Sequence, residues 1–301
     1  MTIIEKAASR LGERREPLHV PDTAPLASPD TEHEAVPALD AVRADRFVLH
    51  INRHALRDAG FLAPEDYDRQ LAEEYRRIKR PLLANAFGIG AVKVPYGNLI
   101  VVSSALSGEG KTHTCLNLAL SIAMEKDRTV LLVDGDVAKP TISTVLGVAD
   151  RPGLLDVLEN GHAALHEVMI RTDLPRLRLL PAGRPRPSAT ELLASDRMRE
   201  LCHELSERYP DRVVLFDSPP LLSTSEAAAI AAAAGQVALV VASGITPRRA
   251  VRNALDHLNP ELAVNVILNK QRQKSHEGYY GGYGYGYGYG QQRGTDSAAA
   301  T

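Results

Sequence analysis

A chain of 301 residues, 44% hydrophobic and 24% charged, has the composition of a globular protein and room for one large domain or two ordinary ones. Its 35 Lys and Arg nearly cancel its 37 Asp and Glu, and the formal net charge of −2 excludes a whole-chain basic surface for nucleic acid or anionic lipid. No run approaches the ~20 apolar residues of a bilayer crossing, the N-terminus lacks the apolar core of a signal peptide, and Cys115 and Cys202 have no disulfide or metal spacing, so the chain reads as cytoplasmic with reduced thiols.

Residues 1–45 read as a disordered N-terminal segment, because from 13 onward they are rich in Pro, Asp, Glu and Ala without a sustained apolar period. Residues 46–95 read as a helical docking and oligomerisation segment. Pro64-Glu65-Asp66 opens a helix that carries Leu71, Tyr75 and Ile78 on one face, and Pro81 interrupts it. From 96 to 275 short apolar runs alternate with helical stretches: NLIVVSSAL, RTVLLVDGD, LRLLPAG, RVVLFDSPP, QVALVVASG and LAVNVILNK. Continuous apolar strands separated by helices predict an α/β domain, a mostly parallel sheet with helices on both faces. Residues 276–301 form a Gly and Tyr repeat that cannot build a packed core and reads as a disordered tail.

Between the first strand of that domain and a helix stands Ala105-Leu-Ser-Gly-Glu-Gly-Lys-Thr112, a P-loop with Ala in the first Gly position. The loop residues Ser107, Gly108, Glu109, Gly110, Lys111 and Thr112 are read as a cradle for nucleotide phosphates. Gly108 and Gly110 let backbone amides close on phosphate oxygens, Lys111 reaches the β and γ groups, and the Thr112 hydroxyl ligates Mg²⁺. The following helix should present Cys115, Leu118, Ala119 and Ile122 as one apolar stripe. His113 follows the loop and is read as capping the helix entry beside the nucleotide. Asp134 and Asp136 end one strand and Asp217 ends another, at the sheet edge where open α/β folds bind ligands. Asp217 is the natural Walker-B carboxylate. Around Mg-ATP these acids can hold the metal, as Asp136 and Asp217 do in this reading, or take a proton from an attacking hydroxyl, as Asp134 and Asp136 do.

A strand ending in Asp-x-Asp beside a P-loop and Walker B resembles the MinD and ParA class of ATPases and their offshoot, the bacterial tyrosine kinases. Four features resemble the kinases. Leu106 stands where the ATPases carry a signature Lys. Glu73 to Arg80 is similar to an ExxRxxR oligomerisation motif, in either of two registers: Glu74, Arg77, Arg80 or Glu73, Arg76, Lys79. Asp217-Ser-Pro-Pro is similar to the kinases' Asp-Thr-Pro-Pro. Tyr279, Tyr280, Tyr283, Tyr285, Tyr287 and Tyr289 resemble the family's C-terminal autophosphorylation cluster. The segment EEYRRIKRPLLANAFG looks like that of autokinases encoded with exosortase-linked exopolysaccharide loci. Departures are Ala138 and Lys139 in place of an Arg pair before Pro140, and Glu226 where the family often has Asp. Asn269 matches a position that reads the adenine edge in related sites, or is a turn residue.

The resemblance implies an ATP-dependent protein-tyrosine autokinase using Mg²⁺ and regulating exopolysaccharide polymerisation and export. It further implies a ring-shaped homo-oligomer, a cognate tyrosine phosphatase, and a separate transmembrane chain-length-determinant or adaptor protein that recruits the kinase to the inner face of the membrane. Nucleic acid is not an expected partner. The alternative reading is a MinD- or ParA-like positioning ATPase without phosphotransfer to protein, and a third is a nucleotide-gated scaffold whose tyrosines stack adhesively.

Overall fold

The six apolar runs become strands because apolar residues, mostly Val, Ile and Leu, predominate in each, with the carboxylates Asp134 and Asp217 only at strand ends. The structure, a computed structural model, describes residues 47–61, 69–88, 94–161, 165–209 and 211–271. The expected linker over 13–45, the helix opening at Pro64-Glu65-Asp66 and the tyrosine tail lie outside them. In chain order the elements are β1 (Val48–Leu49), α1 (Arg53–Asp58), α2 (Arg69–Phe87), β2 (Leu99–Ser104), α3 (Lys111–Ala123), β3 (Thr129–Asp134), α4 (Thr141–Val145), α5 (Leu154–Asn160), α6 (Leu165–Val168), β4 (Ile170–Thr172), β5 (Leu177–Leu180), α7 (Ala189–Leu193), α8 (Asp196–Arg208), β6 (Arg212–Asp217), α9 (Ser225–Ala232), β7 (Gln236–Ala242), α10 (Arg248–Asp256) and β8 (Ala263–Asn269).

The strands make one sheet in the order β1-β4-β5-β3-β6-β2-β7-β8. Strands β5 to β8 in that order run parallel; β4 pairs antiparallel with β5, and β1 parallel with β4. The sheet is therefore mostly parallel, as its sequence pattern requires. Alternate residues of each strand feed two cores. Ile100, Val102, Leu132 and Leu215 pack under α2 and α3 on one face. Val101, Val133, Phe216 and Leu239 pack against residues of α5, α8, α9 and α10 on the other.

Three expectations change. The segment over 46–95 supplies an edge strand, β1, as well as helices; two residues of alternating exposure are too short a pattern to stand out. β4 escaped notice for the same reason. Helix α2 runs unbroken through Pro81. Proline in a helix interior costs about 3 kcal/mol, but here its ring lies on the exposed face while Tyr75 before it and Leu82 and Ala86 after it are buried. Packing on both sides outweighs the lost backbone bond. Finally, α3 does not show a single apolar stripe: every residue from Thr114 to Ile122 is buried, because α2 covers the side that faces away from the sheet. Its polar Asn117 is satisfied there, donating to the Tyr75 hydroxyl at 3.3 Å.

A buried amide fixes the join between α2 and the sheet. Gln236 opens β7 with no exposed surface; its nitrogen donates to the carbonyls of Leu82 and Gly97, and its oxygen accepts from Asn85 and Asn265. All its polar capacity is used, as a buried polar group requires. Among the described residues no helix is long and apolar enough to cross a membrane.

Candidate active site

β2 ends at Ser104, and the chain turns through the P-loop into α3. The first amides of a helix have no partner within it, so α3 presents free donors and the positive end of its dipole at the loop. Gly110 closes the loop at φ 95°, in the left-handed region, and a Cβ there would run into the side-chain amide of Asn269. Glycine is required by conformation and by space.

The loop is held from behind by Glu109. Its side chain is 3% exposed; one oxygen accepts from the amide of Leu106 at 2.6 Å, and the other from the amide of Ala242 at 3.3 Å and the hydroxyl of Thr246. The end of β8 grips the loop's outer carbonyls: Asn269 Nδ2 donates to Glu109 O at 2.8 Å, and Lys270 Nζ to Gly108 O at 2.6 Å. Lys270 takes φ 58° to do so. Glu109 was legible only as a loop residue, and nothing in sequence singled out Lys270 beyond its place after Asn269. Ser107 and Gly108 are exposed at the mouth.

Strand order brings the carboxylates to Lys111. β6 lies between β2 and β3, with Asp134 and Asp217 directly opposite in register. Lys111 Nζ lies 2.7 Å from Asp136 Oδ2, 3.7 Å from Asp217 Oδ1 and 3.1 Å from the Thr112 hydroxyl. Asp134 has one oxygen held by the Ser143 amide and hydroxyl, both at 2.7 Å. Ser143 thus acts as a positioning residue that sequence reasoning missed. Asp136 accepts from the Lys139 amide at 3.2 Å, so Lys139 contributes backbone where an arginine side chain was the family expectation.

The charges here are costly. Burial pushes Asp217 up to about 7, against the pull of Lys111, and pushes Asp134 up to about 6, against its bonds from Ser143. Burial alone would lower the Lys111 ammonium, but Asp217 and Asp136 outweigh it and leave it raised. Both oxygens of Asp217 and one of Asp134 are buried without a hydrogen-bond partner. Hard, buried, anionic oxygens in want of a partner beside a phosphate-binding loop fit a hydrated divalent cation.

Other residues singled out in the sequence are placed elsewhere. The His113 ring turns to the segment after α1, with Nε2 2.9 Å from Gly60 O and the ring stacked on Phe61 at 4.8 Å. Glu226 accepts from the Thr190 hydroxyl at 2.7 Å and joins α9 to α7. Both cysteines are buried and free; burial raises the Cys115 thiol and pushes Cys202 up to about 12, so both are inert. In the α2 motif Lys79 is 6% exposed and binds Ser121 O at 2.7 Å and Glu125 at 2.5 Å. Glu74, Arg77 and Arg80 are all exposed, with Glu74 accepting from Gln70 and Arg77 paired with Glu73.

A P-loop, an Asp-x-Asp strand end and a Walker-B aspartate on a mostly parallel sheet define a P-loop nucleoside-triphosphate-binding domain, and residues 97–247 match the AAA domain family. The chain is 32% identical over 186 residues to Tyrosine-protein kinase YwqD of Bacillus subtilis, covering 60% of this chain and 77% of that one. Among solved structures the VpsO kinase domain is similar at 30% identity and TM-score 0.53, covering 66% of this chain and 98% of that one. The kinase domain of Escherichia coli tyrosine kinase ETK has the same fold, with TM-score 0.62 over 81% of this chain and 90% of that one, at 23% identity. Within the P-loop class, the chain belongs to the bacterial tyrosine-protein kinases. It spans about a quarter of the length of several larger kinases that it also matches, such as Tyrosine-protein kinase wzc of Salmonella typhi.

Proposed function

We propose that this chain transfers the γ-phosphate of ATP to tyrosines of its own C-terminal tail, Tyr279, Tyr280, Tyr283, Tyr285, Tyr287 and Tyr289, and that it does so on a neighbouring copy. The observation that carries this reading is the cluster of buried Asp136 and Asp217 around the half-buried Lys111 beside the P-loop, at 2.7 and 3.7 Å from its ammonium. Mg²⁺ would be held by Thr112, Asp136 and Asp217 and would neutralise charge on the phosphates. Lys111 and the loop amides of Ser107 to Thr112 bind the phosphate oxygens, with the amides on the inner wall. Asn269, fixed on Glu109 O, retains a free amide oxygen for the adenine edge. His113, at Gly60 and Phe61, orders the helix entry from outside. A tyrosine oxygen bonds to the γ-phosphorus as the bond to the β–γ bridging oxygen breaks, and its proton passes to Asp136 or Asp134. ADP carries away the electron pair of the broken bond.

The relatives' names support kinase chemistry over a positioning ATPase, as does Leu106, which is exposed where the ATPases have Lys. The exposed face of Glu74, Arg77 and Arg80 supports a head-to-tail ring, in which each tail reaches the next site. In this reading a separate membrane protein recruits the kinase to the inner face of the cell membrane, a phosphatase resets the tail, and the cycle regulates exopolysaccharide polymerisation and export.

Purified chain with ATP and Mg²⁺, read by phosphotyrosine antibody and mass spectrometry, tests the reading. Label within 279–289 that is lost in Lys111→Met supports it. ATP hydrolysis without phosphotyrosine would favour the positioning ATPase.

A further inference from the structure

Helix α10 carries Arg248, Arg249 and Arg252, all exposed, and among the described residues none makes an ion pair or hydrogen bond through its side chain. Arginines elsewhere are engaged: Arg53 with Asp173, Arg76 with Glu73, Arg186 with Asp156 and Glu159, Arg208 with Glu204. The three lie on the side of α10 opposite the buried Ala254. Like charges one helical turn apart repel, and α10 has no acidic residue in its first turn to offset them. The pattern is unfavourable unless an anion completes it.

We propose that this arginine face is the docking site for the tyrosine segment of the same chain, residues 279–289, once it is phosphorylated; the proposal rests on the tail being the phosphoacceptor. Three observations carry it. The first is where the chain goes. β7 and β8 end side by side, with Ala242 opposite Asn269 and the Ser243 amide bonded to Asn269 O at 2.8 Å, so the end of β8 lies beside the turn that leads from β7 to α10. Tyr279 follows Gln271 by eight residues, a reach of roughly 14–17 Å for a flexible chain, against a helix of about 13 Å. The second is charge. Each phosphotyrosine carries about −1.5 to −2 and pairs with guanidinium in fork geometry, whereas the segment as synthesised has no charge between 278 and 290. The third is spacing. Arg248 and Arg252 are separated by about 6 Å along the helix. Tyr283, Tyr285, Tyr287 and Tyr289 alternate with glycine, and side chains two apart on an extended strand are about 6.6 Å apart on one face. Docking there withdraws the product from the site of a neighbour and marks the modified state on the kinase surface.

The test uses full-length Lys111→Met protein, which keeps its own tail unmodified, and two synthetic peptides spanning residues 277–291, one unmodified and one phosphorylated at Tyr283, Tyr285 and Tyr287. Binding is followed by fluorescence anisotropy at two salt concentrations. The phosphopeptide should bind at least tenfold more tightly than the unmodified one, more weakly at high salt, and at least tenfold more weakly to protein that also carries Arg248→Gln, Arg249→Gln and Arg252→Gln. Circular dichroism checks that the triple variant is folded. Equal affinity of the two peptides, or an unchanged affinity in the folded triple variant, overturns the proposal. Vesicles containing phosphatidylglycerol serve as a second anion: if they bind through the three arginines and the phosphopeptide does not, the face is a lipid contact and the proposal falls. Because the phosphates are placed by synthesis, failure of the autokinase reading would appear separately, as absent label on the active chain.

Discussion

The P-loop rim and helix α2 both concentrate charge, yet they differ in how that charge is satisfied. On α2, Glu73 pairs with Arg76 at 3.0 Å and Arg77 at 3.5 Å, Gln70 donates to Glu74, and these groups stand in solvent. The Arg76 and Arg77 cations hold the Glu73 carboxyl below its usual range. Such solvent-exposed pairs are weak and are satisfied within the helix itself. At the rim, three buried carboxylates surround the half-buried Lys111, whose ammonium stands 3.7 Å from Asp217, too far for a hydrogen bond. Charge that is buried and unsatisfied is maintained against its own energetic cost, so it marks ligand chemistry more surely than charge that is merely dense.

The sharpest way to break this contrast is to remove the cation at its centre. Lys111→Met should lower tyrosine phosphorylation by 10³-fold or more, which corresponds to about 4 kcal/mol of transition-state stabilisation, while circular dichroism stays parental. A rate within tenfold of the parent would mean that the rim is not the reaction centre.

Asp217→Asn tests the cost of the buried charge. An acid whose folded pKa lies above its ordinary value binds its proton more tightly when folded. Its stabilisation is therefore full at low pH and is lost as pH rises from about 3.8 through about 6 for Asp134 and about 7 for Asp217. Without nucleotide, the parent should be less stable at pH 8 than at pH 5. Asp217→Asn should recover on the order of 4 kcal/mol at pH 8 and little at pH 4, measured by denaturant titration, while losing Mg-ATP binding. A variant less stable than the parent at pH 8 would show that Lys111 depends on Asp217 more than the rim suffers from it.

Gly110→Ala should cost about 1–3 kcal/mol and weaken nucleotide binding, because it combines a left-handed φ with a clash on Asn269. Adding Asn269→Gly should restore part of the stability, leaving only the backbone term; thermal melts of the single and double variants check it.

The smallest effect sharpens the α2 side. Ala at Glu74, Arg77 and Arg80 together should change stability by less than about 1 kcal/mol, yet reduce the mass of the assembly in light scattering if this face joins copies. Lys79→Met, by contrast, should leave the face intact and loosen α2 from α3, since Lys79 bonds Ser121 O and Glu125.

Sequence alone determined the class of fold and set the chemistry expected of the site. Six predominantly apolar strands separated by helices point to a parallel sheet covered on both faces, and the spacing of Gly108, Gly110, Lys111 and Thr112 between a strand and a helix points to phosphate binding. Tertiary structure decided what depends on neighbours distant in the chain. Only the placement of β6 between β2 and β3 brings Asp217 and Asp136 to Lys111, and only the packing of α2 on α3 turns Lys79 inward. His113 and Glu226 sit at suggestive positions, yet their side chains are bonded to Gly60 and Thr190. Spacing fixes which residues share an element. Which of them meet across elements is set by packing, where burial of one group is allowed only if another, far along the chain, satisfies it.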